Sequence, residues 1–239
     1  MDGSFRAAAV LSLGHAETTM GRYDRQLLIQ FATGENADAE MLESARDLLA
    51  KGEAKGTPSS LVAIPARPLS RSGAPPWQAQ LARELHLLTA LSRLYLAGQG
   101  DWRRQTISGW DAAAAADLLA ASGLPAVKTI SIVADEAGRD VGAAEGAYVS
   151  EIPNSFASHL HRRLKDVHGI AVEVQARVYP VRIVAEVSAG RRGRKETCDP
   201  AQGDWANKRP HSKLRFSWID GRQVRTWVDY GPEAQAPRE

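Results

Sequence analysis

The chain has 239 residues and a formal net charge of +2, with 44% hydrophobic and 24% charged residues. This length allows one large domain with a sizeable core, and the composition is that of an ordinary globular protein. A single cysteine, Cys198, excludes an internal disulfide framework and fits a reducing compartment. No apolar run approaches the roughly 18 residues that a membrane helix needs, and the N-terminus makes a poor secretory signal.

The first three quarters of the chain alternate short apolar runs with amphipathic segments. Predicted strands cover residues 26–31, 60–64, 94–97 and 170–174, and a central strand lies within 127–136. Predicted helices cover residues 39–49, 77–92, 112–121 and 154–167, with Asp111 placed to cap the third. This alternation predicts an α/β domain with a mostly parallel central sheet and helices on both faces. Residues 1–20 lack periodicity and are predicted to form a flexible arm.

The run at residues 127–136 has the pattern of a buried central strand. It is rich in β-branched residues, shows little polar alternation and ends in Asp135, Glu136 and then Gly138. In open α/β sheets, ligands and catalytic groups gather beyond the carboxyl ends of such strands. The two carboxylates are therefore candidate functional groups.

The C-terminal part differs from the rest of the chain in predicted secondary structure and in charge. No helix is predicted after Arg177, and short strands at residues 181–187, 214–218 and 224–228 are joined by turns that contain Gly and Pro. Between Arg177 and Arg225, twelve Lys and Arg residues stand against five acids. Such a local excess predicts an anion-facing layer of β-hairpins, with a well-solvated basic surface as the alternative.

Several short segments, in order, point to one family. They are Gly-Arg-Tyr-Asp at 21–24, Leu-Ala-Gly-Gln-Gly at 96–100, Ile-Ser-Gly-Trp at 107–110, Ile-Ser-Ile-Val at 130–133, Val-Gln-Ala-Arg at 174–177, Gly-Asp-Trp-Ala-Asn-Lys at 203–208 and Phe-Ser-Trp at 216–218. Together they resemble the autoprocessing cysteine protease domain of large bacterial toxins, which inositol hexakisphosphate activates. Both the clostridial glucosylating toxins and the multifunctional RTX toxins carry it. The resemblance implies a caspase-like, three-layer domain over residues 21–230, with a basic β-flap at about 177–220 and a tail at 231–239.

The chain departs from this family at its two catalytic positions. In the family, the third strand ends in Gly-His-Gly and the central strand in Gly-Cys, whereas these positions here hold Gln99 and Asp135. Glutamine takes up no proton at neutral pH, so it cannot act as a general base. A carboxylate that attacked an amide would form a mixed anhydride of much higher energy than a thioester. The resemblance therefore implies a pseudoenzyme without catalytic residues.

No other residue offers a replacement for this chemistry. Cys198 lies far along the chain from the predicted strand ends, and none of the six histidines follows a strand. His159 and His161 are two residues apart on a predicted helix, a poor spacing for a shared metal ion. The sequence therefore predicts no metal site.

The resemblance also implies a polyphosphate site made of lysines and arginines. Matching the motifs assigns Arg177, Arg191, Arg192, Lys208 and Lys213 to this site; a shifted register adds Arg194 and Lys195, and Arg182 is a neighbour. Like charges packed this closely repel each other without a counter-anion. Charge-assisted hydrogen bonds to inositol hexakisphosphate would therefore stabilise the flap.

These expectations define a function and two alternatives. The resemblance implies an inactive homologue that binds inositol hexakisphosphate and acts as a bacterial effector or interaction module. It would be made in the bacterial cytoplasm and exported to the host cytosol, where a host protein would be its target. Cleavage in cis would release only a short arm, which favours a role in trans. The alternatives are an active hydrolase that uses Asp135 or Glu136, and a general polyanion-binding module for nucleic acid or anionic membrane. Few aromatic residues in the flap are available for base stacking, which disfavours nucleic acid.

Overall fold

The computed structural model describes residues 23–34, 39–67, 76–144, 146–186 and 192–230, without the side chains of Glu186 and Arg192. The described strands are β1 (Gln26–Phe31), β2 (Ser59–Ile64), β3 (Arg93–Ala97), β4 (Gly100–Asp101), β5 (Thr106–Ile107), β6 (Trp110–Asp111), β7 (Thr129–Val133), β8 (Glu173–Arg177), β9 (Val181–Glu186), β10 (Arg192–Cys198), β11 (Trp205–Asn207), β12 (Lys213–Ile219) and β13 (Arg222–Trp227). The helices are α1 (Ala39–Glu53), α2 (Pro76–Leu85), α3 (Ala112–Ala121) and α4 (Phe156–Asp166). The predicted arm at 1–20 and tail at 231–239 lie outside the described residues.

Seven strands form the central sheet, in the order β13-β12-β8-β7-β3-β1-β2. The five strands from β8 to β2 pair in parallel, and β12 and β13 extend the sheet in antiparallel pairing. The predicted α/β class with a mostly parallel sheet is therefore confirmed. No helix among the described residues is long and apolar enough to cross a membrane.

One face of the sheet is apolar. Alternate residues of its strands, such as Leu27, Leu96, Ile132 and Phe216, are fully buried in the main core together with residues of α2, α3 and α4. Helix α3 begins where the sequence predicts, because the Asp111 side chain accepts a hydrogen bond from the N–H of Ala114 at 2.7 Å.

The opposite face is polar, yet it is also covered. Buried residues on this face include Ser131, Gln175, Arg177 and Lys213. Helix α1 and the antiparallel sheet β11-β10-β9 pack over it through a smaller apolar cluster around Leu28. The domain thus has three layers, with helices on both faces of the sheet.

The second helix is shorter than predicted. It ends at Leu85, whereas the prediction extends to residue 92, and Leu91 is 59% exposed. The hydroxyl groups of Thr89 and Ser92 donate hydrogen bonds to the carboxylate of Asp24. Side-chain bonds of this kind compete with the helical backbone pattern and hold residues 89–92 in a turn.

The last parallel strand is shifted from its predicted position at 170–174 and runs from Glu173 to Arg177. The N–H of Ile170 donates to the carbonyl of Leu164 at 2.8 Å, so Ile170 closes helix α4 instead of entering the strand. This shift makes Arg177 the last residue of a central strand and not part of a loop.

Candidate functional site

Gln99 and Asp135 lie next to each other at the carboxyl edge of the parallel strands. They follow β3 and β7, which are neighbours in the sheet. A Cβ atom on Gly100 would stand 2.0 Å from the carbonyl oxygen of Asp135, so the two strand ends are in backbone contact. Both residues line one cleft of about 370 Å³, which is called the acidic cleft below. The structure therefore brings together the two positions that the sequence singled out.

The backbone of Gln99 is held by a small hairpin that the sequence did not predict. Its N–H donates to Ser108 Oγ at 3.2 Å, and its carbonyl accepts from the N–H of Ser108 at 2.8 Å. Ser108 lies between β5 and β6, and its hydroxyl donates to the carbonyl of Phe31 at 3.0 Å. The Gln99 side chain is exposed at the mouth of the cleft.

Asp135 is half-buried, and its carboxylate has one fixed partner. Its Oδ1 accepts a hydrogen bond from the N–H of Val181 at 2.7 Å. Burial raises the pKa of Asp135, and this hydrogen bond opposes the rise only in part. No cysteine or histidine is among the described residues that line the acidic cleft, so none of these residues offers a thiol or an imidazole for acyl transfer.

Glu136 has a different environment from Asp135. It forms an ion pair with Arg139, whose guanidinium stacks 3.8 Å over the ring of Trp102. Glu136 is not among the residues of the acidic cleft. The two carboxylates that follow β7 therefore lie in different environments.

Three of the predicted polyphosphate residues come together between the polar face of the sheet and β10. Arg177 and Lys213 are directly paired across β8 and β12 and are 5% and 8% exposed. The Nζ of Lys195 lies 4.7 Å from the ring of Tyr95. The guanidinium of Arg93 lies 4.6 Å from the same ring. Arg93, Arg177, Lys195 and Lys213 are called the cation cluster below.

No cation of the cluster forms an ion pair with a described acid. Burial, together with Arg93 and Arg177, places the pKa values of Lys195 and Lys213 well below their usual range. The Nε and Nη1 of Arg177 and the Nε of Arg93 are buried without a hydrogen-bond partner. The charge of Glu173 partly opposes the lowering of the Lys213 pKa, but the Glu173 carboxylate is already paired with Arg215 at 3.1 Å.

Sequence reasoning missed Arg93. It begins the apolar strand β3 and shares the polar face with Tyr95, two residues later, because side chains alternate along a strand. The sequence signal that could have identified Arg93 is its position as the one charged residue at the start of the apolar strand β3. Ser131, which pairs with Tyr95 in the sheet, adds a buried hydroxyl without a partner on this face.

The other predicted cations lie apart from the cluster. Arg182 and Arg194 both bind the carboxylate of Glu196, at 2.8 and 2.6 Å, on the face of β10 opposite to Lys195. Burial alone would raise the pKa of Glu196, but the hydrogen bonds from these arginines outweigh it and lower the pKa. Lys208 lines a separate cleft of about 300 Å³. Arg191 lies outside the described residues, as does the side chain of Arg192.

Possible metal ligands are not grouped in the described part of the chain. Within the described ranges, no group of three or more His, Cys, Asp or Glu side chains could hold an ion. Cys198 is half-buried at the end of β10, and its sulfur lies 3.8 Å from the carbonyl oxygen of Asp199.

Comparisons with known proteins leave the family open. No protein-family model matches the chain, and no curated protein matches it either. Among solved structures, it is similar to the sugar isomerase domain of the RpiR transcription factor from Sphaerobacter thermophilus. The identity is 12% and the TM-score 0.25, over 61% of this chain and 70% of that chain. A likeness of this size carries no argument about fold or function.

Proposed function

We propose that this chain is a proteolytically inactive, caspase-like domain that binds a polyphosphate, such as inositol hexakisphosphate, in the cation cluster. The observation that carries the proposal is the cation cluster itself. Removing an unpaired charge from water is costly, and four cations of one sign add mutual repulsion. A compact anion with several phosphate groups would supply the missing acceptors and the missing charge.

The side chains of the cluster suit phosphate. Arg93 and Arg177 offer forked donors with unpaired nitrogen atoms, and Lys195 and Lys213 offer point charges from two different strands. The sheet β9–β11, which carries Lys195, would act as the basic flap over the ligand. Arg182 and Arg194 would hold the flap together through Glu196 and would not contact the ligand.

The absence of protease activity is the second part of the proposal. Gln99 and Asp135 lie side by side, at the positions where the toxin protease family that the sequence resembles has histidine and cysteine. Glutamine provides no base, and the acidic cleft has no thiol among its lining residues. The rival hydrolase is less well supported, because Glu136 is bound to Arg139 and Asp135 has no basic partner among the described residues.

Burial favours a small polyanion over a large one. Arg177 and Lys213 are less than a tenth exposed, so any ligand would reach them only when the flap opens, and a small polyanion needs a much smaller opening than a DNA duplex or a membrane surface. As part of the same proposal, the chain would work as an exported bacterial effector or interaction module in a host cell. The sequence resemblance supports that role.

Thermal melting with inositol hexakisphosphate tests the proposal. At a ligand concentration about 100 times the Kd, we expect the Tm to rise by roughly 5–10 °C. Lys213→Met should abolish most of this rise, because it removes a cation from the cluster. Arg222→Met is the matched control, since Arg222 is exposed on β13, and it should leave the rise intact.

Two outcomes would overturn the proposal. One is no change in Tm with inositol hexakisphosphate. The other is an equal rise with sulfate at matched ionic strength, which would indicate diffuse charge screening and not a site. A peptide bond cleaved by the purified chain would remove the claim of inactivity.

A further inference from the structure

The acidic cleft is negatively charged, whereas the cation cluster on the same side of the sheet is positively charged. Among its described lining residues, two are acids, Asp135 and Glu40, and none is a lysine or an arginine. Its remaining wall includes the apolar side chains of Val133, Val181 and Ile183. In a chain with a positive net charge, this local arrangement selects against anions.

Asp135 is a preorganised acceptor in this cleft. The N–H of Val181 fixes Oδ1, and no described residue hydrogen-bonds to Oδ2. The pKa of Asp135 is raised by burial, and no neighbouring cation lowers it. A half-buried carboxylate with one free oxygen and no cation gains most when a ligand brings the positive charge.

We propose that the acidic cleft binds an ammonium or guanidinium group on an aliphatic stem, with its charged end on Asp135. A volume of about 370 Å³ accommodates a lysine or arginine side chain, whose methylene groups would pack on Val133, Val181 and Ile183. Glu40 is exposed and would provide a second, weaker attraction at the mouth. The group could come from a peptide or from a free diamine. This inference uses no residue of the cation cluster and goes beyond the proposed polyphosphate binding.

Calorimetric titration without polyphosphate tests the inference. The probes are 1,5-diaminopentane, agmatine, a capped Ala-Lys-Ala peptide and the same peptide with norleucine in place of lysine. Norleucine keeps most of the stem and removes the charge. We expect the lysine peptide to bind at least about tenfold more tightly than the norleucine peptide, because a charge-assisted hydrogen bond to a half-buried carboxylate is lost.

Variants of the chain locate the site. Asp135→Asn keeps an oxygen for the N–H of Val181 and removes the charge, so it should weaken binding of the cationic probes at least about tenfold. Glu40→Gln should weaken binding less. Glu53→Gln, the same exchange at an exposed position of α1, should have no effect.

Each outcome has a defined meaning. Binding of the peptide without the amines identifies a peptide as the source of the cation, and the reverse result identifies a free amine. Absence of binding by every cationic probe, or equal affinity in Asp135→Asn, overturns the inference. The melting response to inositol hexakisphosphate is measured on the same Asp135→Asn protein. A cooperative melting transition shows that this variant is folded whether or not the polyphosphate binds, so a failure here is separate from a failure of the polyphosphate proposal.

Discussion

Individual residues in the cation cluster are expected to lower the stability of the ligand-free protein. Lys195 lies beside Tyr95, and its pKa is lowered well below the usual range by burial, with Arg93 and Arg177 adding to the effect. A proton on its amine is therefore less favourable in the folded chain than in the unfolded chain. Binding of the proposed polyphosphate beside Lys195 would offset this cost.

Lys195→Met should raise the free energy of unfolding of the ligand-free protein. Methionine keeps most of the side-chain volume and removes the repelling charge; replacing buried ion pairs by apolar residues of similar volume stabilises proteins by up to about 1–4 kcal/mol, which sets the expected scale. Urea denaturation at neutral pH measures the change. The same variant should lose its response to inositol hexakisphosphate. Lys55→Met, at an exposed position after α1, is the control and should change neither quantity. A Lys195→Met protein that is less stable than the wild type would contradict the assignment.

At the scale of elements, the sequence predicts well where local pattern decides and poorly where distant side chains decide. Strand β1 and helix α3 have the predicted bounds, because alternation and the Asp111 cap are local signals. The early end of α2 depends on Asp24, which is 68 residues before Ser92 in the chain. The cation cluster follows the same rule. The resemblance selected Lys195 and Lys213 from local motifs. It could not separate Arg182 from them, because the pairing of Arg182 with Glu196 depends on the register between β9 and β10.

Packing of helix α4 against β12 should be sensitive to acid. His161 is fully buried and stacks on Trp218 with ring centroids 4.7 Å apart, and its Nδ1 accepts a hydrogen bond from Gln223 at 2.7 Å. Burial lowers the pKa of His161 to about 4. The unfolded chain therefore binds a proton that the folded chain excludes between pH 4 and 6.5, so the free energy of unfolding falls as the pH drops through this window.

The expected loss from His161 is about 3 kcal/mol by pH 4. Denaturation series at pH 7, 6, 5 and 4 would measure it. His161→Leu should show a shallower dependence, by about this amount, because the titrating group is gone. Gln223 keeps a second acceptor in this variant, since it also donates to the carbonyl of Ser158 at 3.0 Å. Equal pH dependence in the two proteins would show that His161 does not limit acid stability.

At the scale of the whole molecule, the two faces of the central sheet have different roles. The face against α2, α3 and α4 is a continuous apolar core, which supplies the stability of the domain. The other face carries the cation cluster. Helix α1 and the sheet β9–β11, together called the cover below, pack on this face through a smaller apolar cluster around Leu28. The cover should therefore be the less stable layer when no ligand is bound, because apolar burial there is smaller and the charges repel.

Hydrogen exchange should reveal this asymmetry. The cation cluster joins β3, β8 and β12 of the central sheet to β10 of the cover, so inositol hexakisphosphate would tie the two layers together. We expect amides of β9 and β10 to exchange faster than those of β7 in the ligand-free protein, and to slow by about tenfold or more when ligand is added. Amides of β7 should change least. In Lys213→Met, added ligand should leave the exchange rates of the β9 and β10 amides unchanged. If the ligand slowed exchange equally in all strands, global stabilisation would explain the effect, and the cover would not be the element that the ligand orders.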